Sequence, residues 1–148
     1  MYTGLIYTHS YLRYFVLALL IVVVIKSLVG WLSKGSFTKA DDKFSLWLLI
    51  ATHLQFLVGL VLYFMSDLVK FNSGTMKNSV LRYWTVEHST MMILAVVLIT
   101  VARTTHKKLP TDRAKHKRLF LLNAVALIII IIAILASGRG LFISTRVQ

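Results

Sequence analysis

Four apolar runs, each long enough to cross a lipid bilayer, constrain this chain more than any motif in it. A helix needs about 20 residues to traverse the hydrocarbon core, and runs of that order cover residues 11–33, 44–66, 86–105 and 119–143. They occupy most of the 148 residues, so a single transmembrane domain over 1–148 is expected, with no second soluble domain. The first run lacks a basic start and a small-residue cleavage site, so it is expected to stay as a span and not to be removed as a signal peptide. The connections 34–43, 67–85 and 106–118 are short. Short connections favour neighbouring helices that alternate in direction, so the expected fold class is all-α: a polytopic membrane protein built as an antiparallel four-helix transmembrane bundle.

Charge orients the bundle. Lys and Arg number 17 against 5 Asp and Glu. Nucleic-acid-binding domains spread basic residues over a solvated face and lack apolar runs of this length, so no nucleic-acid partner is expected. Lys34, Lys39, Lys43, Arg103, Lys107, Lys108, Arg113, Lys115, Lys117 and Arg118 fall on one side of the four runs. Only Lys70, Lys77, Arg82, Arg139 and Arg146 fall on the other. The positive-inside rule then makes the first and third connections cytoplasmic and both termini outward, or periplasmic in a bacterial inner membrane. The bilayer is the first expected partner. Lys26, within the first run, is expected to snorkel to the cytoplasmic interface.

The chain has no cysteine, which excludes disulfides, thiolate metal sites, Fe–S clusters and c-type haem attachment and leaves imidazole as the main ligand-grade group. Five histidines sort by position. His106 and His116 stand among Lys and Arg, where a solvated basic loop meeting anionic headgroups is expected. His9 and His88 begin the first and third runs on the same side of the membrane, at similar depth. Two imidazoles at matched depth can ligate a haem b between facing helices, which requires the first and third helices to pack side by side. Taken singly, His9 also reads as an interfacial residue and His88 as a helix-end residue paired with Glu87. Arg13 follows His9 by one helical turn and suits a haem propionate, while snorkelling or pairing with Glu87 are its alternatives. Met91 and Met92, three and four residues after His88, are either an alternative axial ligand or core filler. His53 lies deeper, so it is expected to be inessential for that haem. It could serve a second cofactor, a quinone headgroup or a proton path, or hydrogen-bond across helices as structural glue. Gln55 falls on nearly the opposite helix face from His53. Tyr83 and Trp84 are expected in an interfacial aromatic belt. No paired carboxylates, phosphate loop or nucleophile elbow is present.

The segments MYTGLIYTHSYLRY, THLQFLVGLVLYF, RYWTVEHSTMMILAVVLIT and HKRLFLLNAVALIIIIIAI together resemble small four-helix membrane proteins of Bacteroidetes-type bacteria labelled cytochrome B, over nearly the whole chain. More distantly, the layout is similar to the short bacterial protoporphyrinogen oxidases and the copper-resistance D membrane family, which also place a histidine at the start of helix one. In the short oxidases that histidine is thought to contact b-type haem, and the resemblance carries this role to His9. Their helix-three lysine and helix-one arginine pattern are not reproduced, which argues against oxidase activity. The expected function is a b-type cytochrome that binds haem between helices one and three and passes electrons between a quinol or redox partner and another membrane or outward-facing protein, in a respiratory or redox complex. The alternatives are a haem-dependent porphyrinogen oxidase-like enzyme and a non-catalytic structural subunit of such a complex.

Overall fold

The computed structural model describes residues 1–137. The far end of the fourth apolar run, Arg139, Arg146 and the carboxyl terminus lie outside the described residues. Among those described there is no strand. Four helices, α1 (Tyr2–Ser33), α2 (Lys39–Met65), α3 (Ser79–Lys108) and α4 (Asp112–Ala136), are each long and apolar enough to cross a membrane. This is an all-helical, multi-pass membrane protein.

The helices begin where local chemistry satisfies their first amides. Thr38 and Asp41 form a reciprocal capping box at the start of α2: the Asp41 N–H donates to Thr38 Oγ1 (3.3 Å) and the Thr38 N–H to Asp41 Oδ2 (2.9 Å). Asn78 Oδ1 accepts from the Val80 and Leu81 amides before α3. Thr111, placed after Pro110, accepts from the Ala114 amide before α4. At the other end of α1, Lys34 takes a left-handed conformation (φ 55) and Gly35 donates to the Gly30 carbonyl, which stops the helix. Helix α1 starts nine residues before its apolar run and α3 seven before, because neither 2–10 nor 79–85 contains a proline. His9 is therefore inside a helix and not at its start.

In cyclic order α1 packs on α2 and α4, and α3 packs on α4 and α2. The first and third helices do not lie side by side as expected but face each other across the bundle. Short connections send each helix to the next corner, so every second helix falls on the diagonal. Leu20, Leu48, Ile99 and Ala126, one from each helix, are almost fully buried within a core that also takes in Val16, Val23 and Ile130. At one end Tyr2 Oη donates to Ser66 Oγ, tying the start of α1 to the end of α2. At the other, Lys26 pairs with Asp41 at 3.5 Å, tying the later part of α1 to the start of α2. Lys26 thus extends toward the first turn of α2, with Nζ 5.6 Å from the Phe44 ring centroid.

Candidate functional site

The diagonal placement of α1 and α3 leaves a space near the Tyr2 end, and polar side chains converge on it. His9 and His88 both line two adjoining cavities of about 100 and 110 Å³, with Ser10 and Trp84 as further shared walls. His9 is seated against α2 at Gly59, where an added Cβ would lie 3.0 Å from the ring Cε1. Gln55, also on α2, donates through Nε2 to the His9 carbonyl at 2.9 Å. Arg13 lies one turn below His9 on the wall of the larger cavity, and its Nη2 donates to Tyr14 Oη at 3.0 Å. Glu87 is engaged by Arg82 at 2.8 Å, so the expected alternative of an Arg13–Glu87 pair does not form. Arg13 Nε and Gln55 Oε1 are buried without a hydrogen-bond partner among the described residues. The larger cavity therefore has a cationic donor and an amide acceptor on walls that also include the apolar side chains of Val16, Leu17, Met92 and Ile130. Met92, but not Met91, reaches this cavity.

A π-turn over Tyr83–Glu87 precedes His88 and sets its surroundings. In an α-helix, residues five apart point about 140° away from each other. The wider turn, closed by the His88 amide on the Tyr83 carbonyl, brings Tyr83 and His88 to one face. Tyr83, 5% exposed, donates its hydroxyl proton to the Ala133 carbonyl on α4 at 2.5 Å. With that proton committed, its oxygen can accept from His88 Nδ1, 3.4 Å away, and that tautomer puts the imidazole electron pair on Nε2. Trp84 packs against the same ring at 5.1 Å between centroids. The expected belt position of Tyr83 gives way to burial because its hydroxyl has a carbonyl to meet inside the bundle. Replacing Tyr83 with phenylalanine removes this donor while the Ala133 carbonyl keeps the Ser137 amide at 3.1 Å, and thermal unfolding in detergent is expected to report a loss of about 1 kcal/mol.

His53 is not part of this site. It is exposed on the outer face of α2, and its Nδ1 donates to the Leu49 carbonyl at 2.8 Å. Gln55, two positions on, faces inward, in keeping with their nearly opposite directions on the helix.

His106 and His116 overturn the expectation of a solvated loop, being 0% and 2% exposed. The ring of Phe37, from the α1–α2 connection, lies between them at 5.1 and 5.2 Å. His116 Nε2 donates to the Ser36 carbonyl, and His106 Nδ1 to that of Ala102, both at 3.3 Å. Beside them the buried guanidinium of Arg103 is held by Asp42 at 2.9 Å, with His106 Nε2 3.6 Å from the same carboxylate oxygen. The sequence did carry a signal for this. His116 begins the buried stripe Leu119, Asn123, Ala126, Ile130 on α4, and His106 ends the stripe Ala95, Ile99, Ala102 on α3. Surrounding Lys and Arg residues masked that three-to-four spacing.

No protein-family model, curated protein or solved structure matches the chain. The chemistry of the site must be read from its own residues.

Proposed function

We propose that the chain is a membrane b-type cytochrome-like protein that holds one haem between His9 of α1 and His88 of α3 and passes single electrons. The observation carrying this reading is the convergence of these two imidazoles and Arg13 on adjoining cavities between diagonal helices. No group of three or more His, Cys, Asp or Glu side chains able to hold a bare metal ion occurs among the described residues. Two imidazoles suit a metal that brings its own equatorial ligands, as a porphyrin-bound iron does. A haem bound there would supply one-electron iron redox chemistry.

The chain's own residues would do the rest. His9 and His88 would hold the iron, and Tyr83 would orient the His88 ring and keep its proton on Nδ1. Arg13 would bind a propionate carboxylate, a contact strengthened by the apolar walls that exclude water. The donor set fits the group, but each cavity is smaller than the roughly 300–1,000 Å³ of ordinary ligand pockets. Accommodation therefore requires the helix ends around Trp84 to move apart. That small volume is also what favours a second reading, a non-catalytic subunit of a larger membrane complex with structural histidines.

The same reading takes the bundle as antiparallel in a bacterial inner membrane, with the basic connections cytoplasmic and the termini periplasmic. A quinol or a redox protein would be the electron partner. A reduced-minus-oxidised spectrum with a pyridine haemochrome assay on detergent-purified protein tests the proposal. About one b-type haem per chain is expected, lost in His9→Ala and in His88→Ala and kept in His53→Ala. A colourless wild-type protein purified from haem-replete cells would leave the structural-subunit reading standing instead.

A further inference from the structure

His53 has no part in the site above, and its setting is unfavourable for a lone chain. It is the fifteenth of the 27 residues of α2, about 21 Å along the axis from Lys39 and about 18 Å from Met65. An ionisable side chain facing lipid at that depth is costly unless something meets it. Helix α2 is also the least covered of the four: 17% of its most apolar window is buried against the rest of the chain, compared with 22% to 33% for the others. Its exposed face carries Ile50, Leu54, Leu57, Leu60 and Phe64, and His53 is the polar side chain set among them.

We propose that this face of α2 packs on the same face of a second copy, and that the two His53 rings form a shared site for a cationic electron-pair acceptor, either a proton or a transition-metal ion. Two copies inserted the same way in one bilayer and related by a two-fold axis along its normal present His53 at identical depth, so each ring meets its own counterpart. The Leu49 carbonyl can only accept, so His53 Nδ1 carries the proton and the neutral ring keeps its electron pair on Nε2. Two such electron pairs cannot hydrogen-bond to each other. A cation between them satisfies both, and the site is incomplete in one chain.

The absence of cysteine makes this directly testable by disulfide trapping. Ile50→Cys and Leu57→Cys, oxidised with diamide in native membranes, are expected to give linked dimers, whereas the lipid-facing positions Val97→Cys on α3 and Ile128→Cys on α4 are not. Adding His53→Ala should lower the yield about tenfold, the weight of one interhelical polar contact in a bilayer. Elemental analysis of purified wild type and His53→Ala identifies the cation. Half an equivalent of metal per chain, absent in the variant, identifies a metal. No metal, with a yield that rises on acidification and ignores chelators, identifies a shared proton. Equal linking at Val97 and Ile128, or a yield unchanged by His53→Ala, overturns the proposal. The haem spectrum is read separately, because His53 lies outside the His9–His88 cavities.

Discussion

Replacing Asp42 with alanine is expected to destabilise the protein by about 3 kcal/mol, the lower end of what removing one partner of a buried ion pair costs. Arg103 is 6% exposed, and its guanidinium meets Asp42 at 2.9 Å. Asp42 itself keeps 37% of its side-chain surface exposed, which is why the lower end applies. The same oxygen also lies 4.0 Å from Lys107, so its loss leaves two cationic groups on α3, Arg103 and Lys107, without their shared counter-charge. Attraction between the two charges is not what the measurement mainly reads. Most of the loss comes from leaving a guanidinium desolvated and unpaired, so Asp42→Ala combined with Arg103→Leu should recover much of the stability. Denaturant unfolding in detergent checks this. A double variant as unstable as Asp42→Ala alone would refute the account.

Gly30→Ala is expected to produce the second large effect, although alanine is the better helix former by about 1 kcal/mol. A Cβ at Gly30 would lie 2.5 Å from His116 Nδ1 and 2.6 Å from Nε2, closer than real Cβ contacts allow. The His116 ring is 2% exposed and held between Phe37 and the Ser36 carbonyl, so it cannot swing into solvent. Overpacking of this kind costs about 1–3 kcal/mol, enough to reverse the propensity gain, and it should release the α1–α2 connection from the bundle. In a His116→Ala background the clash is gone and Gly30→Ala should become neutral or stabilising. Thermal unfolding of the four proteins in this cycle settles it: the same loss in both backgrounds would mean that the ring is not the obstacle.

Hydropathy alone determined that the chain forms four membrane-length helices, because a backbone in hydrocarbon must satisfy its own hydrogen bonds and an apolar run of this length has few alternatives. Position along those runs was enough to group His9, Arg13 and His88, whereas His53 is kept from them by the face it takes and not by depth, since Gln55, two residues on, lines the same cavity as Arg13. Nothing in the apolar pattern could say which way each helix is turned. In water a helix declares its buried face by being polar elsewhere. In a membrane both the core and the lipid are apolar, so Leu48, buried in the bundle, and Leu57, 56% exposed on its outside, look alike in sequence. Only the tertiary structure decided that His53 faces outward while Gln55 faces in, and that α1 and α3 oppose each other across the bundle and not side by side. It also decided the burial of His106 and His116. Their spacing with the buried stripes of α3 and α4 hinted at that burial, but the pocket depends on Phe37 folding between their rings and on Gly30 lacking a side chain, contacts made across 69 or more residues of sequence.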